Sequence, residues 1–190
     1  MIAMRGVTLI ELIVTLAVLA IVLGMGAPAL SHTLRENRLA AATNDLSRIV
    51  ALARSSAIKH GGAVTLCKTS DQWSCDSTTP KQWTGGWLLF VDPARNQNCQ
   101  DANRDGLCDG HGGRILHQGA LQLPANITIH NNAAVNAHFI TFNELGTAPG
   151  FMRTFTICDT GAPEAARQLR LAKSGRLRVI HRAELSECPS

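Results

Sequence analysis

Residues 7–30 read VTLIELIVTLAVLAIVLGMGAPAL, an apolar run interrupted only by Thr8, Glu11 and Thr15. As a helix it would reach about 36 Å at roughly 1.5 Å per residue. That is enough to span a hydrocarbon core of about 30 Å. One positive charge, Arg5, precedes the run and favours a cytoplasmic start. Three plain readings compete. Ala27-Pro28-Ala29 looks like a secretory cleavage site. A simple membrane anchor would also fit, and a buried core helix would be unusually long. Glu11 separates them. A carboxylate at the centre of a bilayer costs about 2.5–3.5 kcal/mol on insertion scales. Such a residue calls for a partner, and neither a signal peptide nor a plain anchor has a reason to carry it.

Gly24, Gly26 and Pro28 fall late in the run. Glycine costs about 1 kcal/mol and proline about 3 in a helix interior, so a kink or local unwinding is expected there, with a tolerated proline in a merely bending helix as the competing reading. Beyond it Leu39, Ala42, Leu46, Ile49, Val50, Ala53 and Ala57 recur at steps of three and four. This is the apolar stripe of an amphipathic helix. Arg38, Asp45, Arg48, Arg54 and Lys59 avoid the stripe, and Gly61-Gly62 stops it.

The remainder reads as short strands and loops. Strands are expected at 63–67, 86–92, 114–118, 127–131, 138–142, 153–159, 167–172 and 175–181, the last two joined through Lys173-Ser174-Gly175. The fold class is therefore α+β, a long N-terminal helix packed on an antiparallel sheet. Tyr is absent and aromatics are few, so the core leans on Leu, Ile, Val and Ala. Six cysteines lie scattered from Cys67 to Cys188 with no CxxC pair. Behind an apolar N-terminus they read as disulfides of an oxidising compartment. A zinc site is the rival reading, and it usually wants closely spaced thiols. No GxSxG, HExxH or P-loop occurs, so the chain is read as a non-enzyme without a cofactor.

Arg5-Gly6-Val7-Thr8-Leu9-Ile10-Glu11 resembles the processing signal of type IV prepilins. The resemblance implies that a prepilin peptidase cuts after Gly6 and methylates Val7. It implies that Glu11 pairs with the free amino group of a neighbouring subunit during assembly. A buried carboxylate beside an ammonium is stabilised where an isolated one is not. Val7 departs from the family, whose first mature residue is usually Phe. The division expected is a leader at 1–6, a transmembrane and assembly helix at 7–30, and an exported domain at 31–190. Within that domain 31–60 is amphipathic helix and 61–190 is β-rich.

Further residues resemble the GspH/FimT group of minor pilins and pseudopilins, with the type IV pilin-like fold. They are Gly86-Trp87 leading into Phe90-Val91-Asp92, Arg114-Ile115-Leu116 after a polar loop, Phe142 and Gly146 before a strand carrying Cys158, and Gly175-Arg176-Leu177-Arg178. The likeness spans essentially the whole chain and is loosest across Cys99–Gly113. It implies a single pass through the bacterial inner membrane, a periplasmic C-terminal domain, and an extracellular position once in a pilus. Partners would be the peptidase, other major and minor pilins, and the inner membrane. Cysteine pairing is set out as Cys67–Cys75, Cys99–Cys108 and Cys158–Cys188, one of fifteen connectivities that six cysteines allow.

Two polar features remain. Asp101, Asn103, Asp105 and Asp109 match the opening of a calcium loop, with Gly106 at the sharp turn. Gly112 stands where the bidentate Glu belongs, and Arg104 sits within the loop. A polar loop of Asx turns is the competing reading. Second, Arg167, Arg170, Lys173, Arg176, Arg178 and Arg182 occur between 167 and 182 with no acid among them. Strand alternation sets Leu169, Leu171, Leu177 and Val179 against Arg170, Arg176, Arg178 and Arg182. A solvated outer face would look the same. Gly175-Arg176-Leu177-Arg178 resembles the GRxR motif with which FimT-type pilins bind DNA in natural transformation. The resemblance implies sequence-independent DNA binding through Gly175, Arg176, Arg178, Arg170, Lys173 and Arg182. The alternative is a FimU- or GspH-type subunit that primes a pilus or type II secretion filament without binding DNA.

Overall fold

The computed structural model describes residues 8–78, 82–110, 112–124, 126–133, 137–161, 166–180 and 188, without the side chains of 23–29. Gly6, Val7 and Arg182 lie outside the described residues. The chain divides into two units, Met1–Asn37 and Arg38–Ser190. One helix, α1 (Leu9–His60), contributes to both.

In the first unit Thr8 opens α1. Its hydroxyl accepts the backbone N–H of Glu11 at 3.4 Å, as an N-cap residue does for the third helical position. Leu9, Ile10, Leu12, Ile13, Val14, Leu16, Val18, Leu19, Ile21 and Val22 are all more than half exposed. Within the described residues no helix is long and apolar enough to cross a membrane. The expected span 7–30 includes Val7 and the side chains of 23–29, which lie outside that set. Helix runs unbroken through Gly24, Gly26 and Pro28. The local unwinding expected there is therefore absent, and the helical backbone accommodates the proline.

In the second unit the apolar stripe of α1 is the core face. Leu39, Ala42, Leu46, Ile49, Val50, Ala53 and Ala57 are at most 3% exposed. Gly61 ends the helix with φ +61°, and Gly62 N–H donates to the Ala57 carbonyl at 3.3 Å. A left-handed glycine followed by such a bond is the Schellman stop.

Eight strands follow: β1 (Val64–Thr69), β2 (Gly86–Val91), β3 (Ile115–Ala120), β4 (Ile127–Asn131), β5 (Phe139–Phe142), β6 (Arg153–Asp159), β7 (Ala166–Leu171) and β8 (Leu177–Ile180). They form two antiparallel sheets rather than one, ordered β3-β2-β1-β5 and β4-β6-β7-β8. The helix stripe and the inner residues of both sheets share one apolar core. Trp83 sits fully buried in it, edge-on to Phe155 with ring centroids 5.4 Å apart. Its indole N–H donates to the Ala137 carbonyl at 2.8 Å, which satisfies the one polar atom the ring brings inside.

Three disulfides join Cys67 to Cys75, Cys99 to Cys108 and Cys158 to Cys188. The first two brace neighbouring loops, which also exchange backbone bonds: Cys75 N–H donates to Cys99 O at 2.8 Å and Asp101 N–H to Trp73 O at 2.9 Å.

Candidate functional site

The basic hairpin is built by β7, the turn Ala172–Arg176 and β8. Its inner face is apolar. Leu169 and Leu171 are fully buried, and Leu177 packs against the core from a partly buried position. Period-two alternation then puts Arg170 and Arg178 on the outer face. They stand directly opposite one another across the ladder, and Thr154 of β6 stands opposite Arg170 on the other side. Ala172 N–H donates to Arg176 O at 2.9 Å, which continues the register by one further pair. The outer face thus carries the row Thr154–Arg170–Arg178, with Ala172 and Arg176 beside it. Arg170, Lys173, Arg176 and Arg178 are all exposed. Among the described residues no acid forms an ion pair with any of the four. Like charges directly opposite on a ladder are unfavourable, so the Arg170–Arg178 pair favours an anion between its members.

The other end of this face is closed. Cys158, Ala166, Thr156 and Gln168 point the same way as Arg170 and are at most 6% exposed. Cys188 is bonded to Cys158 there. The open part of the face is therefore its arginine end.

The turn is anchored from below. Gly175 has φ +73° and is buried, and a Cβ at that position would overlap the Gly146 carbonyl oxygen. Arg54 of α1 donates from Nη1 to Gly175 O at 3.2 Å, and Ala148 N–H donates to Lys173 O at 2.9 Å. The glycine of the GRLR sequence is thus a docking residue, while the arginines project outward. Beside Arg170 lies a hollow of about 390 Å³ lined by Met152, Arg153, Thr154, Arg170, Leu171 and Ala172. Met152 is 60% exposed. Arg153 is buried, donates to Phe139 O, and stacks 5.2 Å from the Phe151 ring centroid. Desolvation pulls its guanidinium down to about 10, so it stays charged at neutral pH. Neither Thr154 nor Met152 is marked by sequence pattern: the β6–β7 register carries Thr154 to Arg170, and Met152 meets Arg170 only across the hollow.

The other candidate residues are placed as follows. Glu11 is exposed on the first turn of α1. Asp101, Asn103, Asp105 and Asp109 do share one loop, but their oxygens already accept hydrogen bonds within it. Asp101 takes the N–H groups of Asp105 and Gly106, Asp105 takes those of Leu107 and the Asn103 amide, and Asp109 takes that of Ala102. Among the described residues no cluster of His, Cys, Asp or Glu is set to hold a metal ion. These side chains shape the loop as Asx turns.

No curated protein matches the sequence significantly. The fold matches crystal structures of the type IV minor pilin FimU of Pseudomonas aeruginosa strain PAO1. In one crystal form the TM-score is 0.54 at 24% identity, covering 80% of this chain and 93% of that one. In a second it is 0.52 at 23% identity, covering 80% and 97%. The prokaryotic N-terminal methylation motif matches residues 1–27. The type II transport protein GspH family matches residues 42–175, and with that the chain belongs to the GspH family.

Proposed function

We propose that this subunit enters a type IV pilus and binds DNA there through its C-terminal hairpin, for uptake in natural transformation. The observation that carries the reading is the exposed pair Arg170–Arg178, with Arg176 and Lys173 beside it and no described acid paired to them. Guanidinium groups present a rigid fork of donors that suits phosphate oxygens. The clamp of Gly175 on Gly146 and Arg54 holds that array on the domain. In this reading a prepilin peptidase processes Gly6–Val7, the N-terminal helix sits in the inner membrane, and the remaining domain lies in the periplasm until assembly. Other pilins are its partners, with Glu11 meeting a neighbour's amino group.

A second reading keeps the assembly role and drops DNA. It draws on Glu11 and on the exposed apolar side chains from Leu9 to Val22, which suit filament contacts whatever the hairpin does. The subunit would then prime a pilus or a type II secretion filament. A gel shift of the full chain in detergent separates the two, with an Arg176→Gln/Arg178→Gln double variant as comparison. DNA binding predicts retention by the wild type and strong weakening in the variant. With about four cations engaged, log K should fall against log salt with a slope of about −3.6. Equal, weak binding by both proteins would leave only the assembly reading.

A further inference from the structure

The hairpin's arginines border a feature that phosphate binding alone does not use. The row Thr154–Arg170–Arg178 lies beside the Ala172–Arg176 pair on the outer face, and position 172 carries only a methyl group. This small side chain lines the hollow of about 390 Å³ together with Met152, Thr154 and Arg170. That volume falls within the roughly 300–1,000 Å³ of small-molecule sites. An exposed methionine beside Arg170, which no described acid pairs, offers two kinds of contact at once. The thioether and the Ala172 methyl meet a flat apolar ring, and the arginines meet an anion attached to it.

We infer that this hollow takes an unpaired nucleobase, so that the hairpin prefers single-stranded or frayed DNA to duplex. The inference rests on the DNA-binding reading and names its substrate class. A base in a duplex is stacked and paired and cannot enter a hollow on a sheet surface. An unpaired base can lie over Ala172 against the Met152 sulfur, which makes favourable contacts with aromatic rings, while Arg170, Arg176 and Arg178 hold the neighbouring phosphates. Single-strand binders commonly combine a cationic track with such a platform, and sequence matters little because every base has a π-face.

The test uses the full chain in detergent and fluorescence anisotropy at one salt concentration. Three probes are compared: a labelled single strand, a strand of equal length made of abasic sites, and the corresponding duplex. The intact strand should bind roughly two- to ten-fold more tightly than the abasic strand, the range a thioether–ring contact supports. Met152→Ala should bring the intact strand down to the affinity of the abasic one. Ala172→Leu, which fills the hollow, should do the same by a different route. Met152 is 60% exposed, so its variant keeps the test valid should Ala172→Leu fail to fold. Equal affinity for all three probes, unchanged by Met152→Ala, would overturn the inference and leave phosphate binding standing. No binding to any probe would remove both.

Discussion

Gly175 lies against the carbonyl of Gly146, in a left-handed conformation and with no room for a side chain. Two demands fall on one residue: φ of +73° and contact with backbone that cannot swing aside. Gly175→Ala should therefore destabilise the domain by about 1–3 kcal/mol, the range for a strained backbone position. Gly150→Ala is the control. Its φ is +81° but nothing stands within reach of an added Cβ, so it should cost only the left-handed penalty, about 1–2 kcal/mol, and less than Gly175→Ala. Urea midpoints of the two variants check this. Equal losses would mean that the contact with Gly146 contributes nothing.

Trp83 tests the core in the same terms. Its ring is fully buried and its N–H is used by Ala137 O. Trp83→Phe keeps most of the volume, and the Ala137 carbonyl keeps its other donor, the Asn131 side-chain amide at 2.7 Å, so the loss should be that of one net hydrogen bond, about 0.5–1.5 kcal/mol. Trp83→Ala opens a cavity and should cost about 3–5 kcal/mol. Denaturant unfolding should rank the variants in that order.

What could be read from the sequence, and what could not, follows from the range of each interaction. The helix stripe from Leu39 to Ala57 was legible because period 3.6 is local. So was the sorting of Leu169, Leu171 and Leu177 from Arg170 and Arg178, because period two is local as well. The split into two sheets was not. Strand β1 pairs with both β2 and β5, and no alternation within β1 says which distant strand will lie beside it. Met152 escaped notice for the same reason, since it meets Arg170 only across the hollow. At Pro28 the intrinsic cost leaves a kink, an unwinding and a tolerated bend all open, and the helix continues through it without unwinding.

The disulfides should differ in weight. Cys158–Cys188 closes a loop of sequence separation 30, against 8 for Cys67–Cys75. On the chain-entropy relation these correspond to about 3.6 and about 2.5 kcal/mol. Replacing both cysteines of the longer loop by Ala should therefore lower Tm more than replacing those of the shorter one. Non-reducing peptide mapping should recover the three pairs, and a Cys67–Cys158 peptide would contradict them.

Stability should fall as pH drops through the histidine range. His138 is held below its ordinary value of 6.5 by desolvation first and then by the charges of Lys68 and Arg153, which Asp76 only partly offsets. Desolvation lowers His130 as well. A lowered histidine value means that the unfolded chain takes up protons the folded one refuses. Stability then rises with pH across that window and is fully present above about 6.5. Thermal unfolding between pH 7.5 and 5.5 should show Tm declining toward acid, and His138→Gln should flatten part of the decline. An unchanged slope in that variant would assign the effect elsewhere. Asp71 acts at lower pH. Burial raises its carboxyl, but hydrogen bonds from Ser74, Trp73 and Thr69 outweigh this and hold it at about 2, so its contribution is lost only as pH falls from about 4 toward 2.

Glu11 carries two separable roles. Its backbone N–H is capped by the Thr8 hydroxyl, while its carboxylate is exposed on the first turn and, in the proposed assembly, meets a neighbouring subunit's amino group. Thr8→Ala should fray the helix start at a cost of about 0.5–2 kcal/mol and reduce filament incorporation modestly. Glu11→Gln leaves the cap intact and removes only the charge. A hydrogen bond to a charged group contributes about 1.5–3 kcal/mol, so incorporation should drop by roughly ten- to a hundred-fold while membrane association stays at the wild-type level. Quantifying the subunit in sheared filaments and in membranes of the same cells checks both arms. Wild-type incorporation of Glu11→Gln would show that the carboxylate's charge plays no part in assembly.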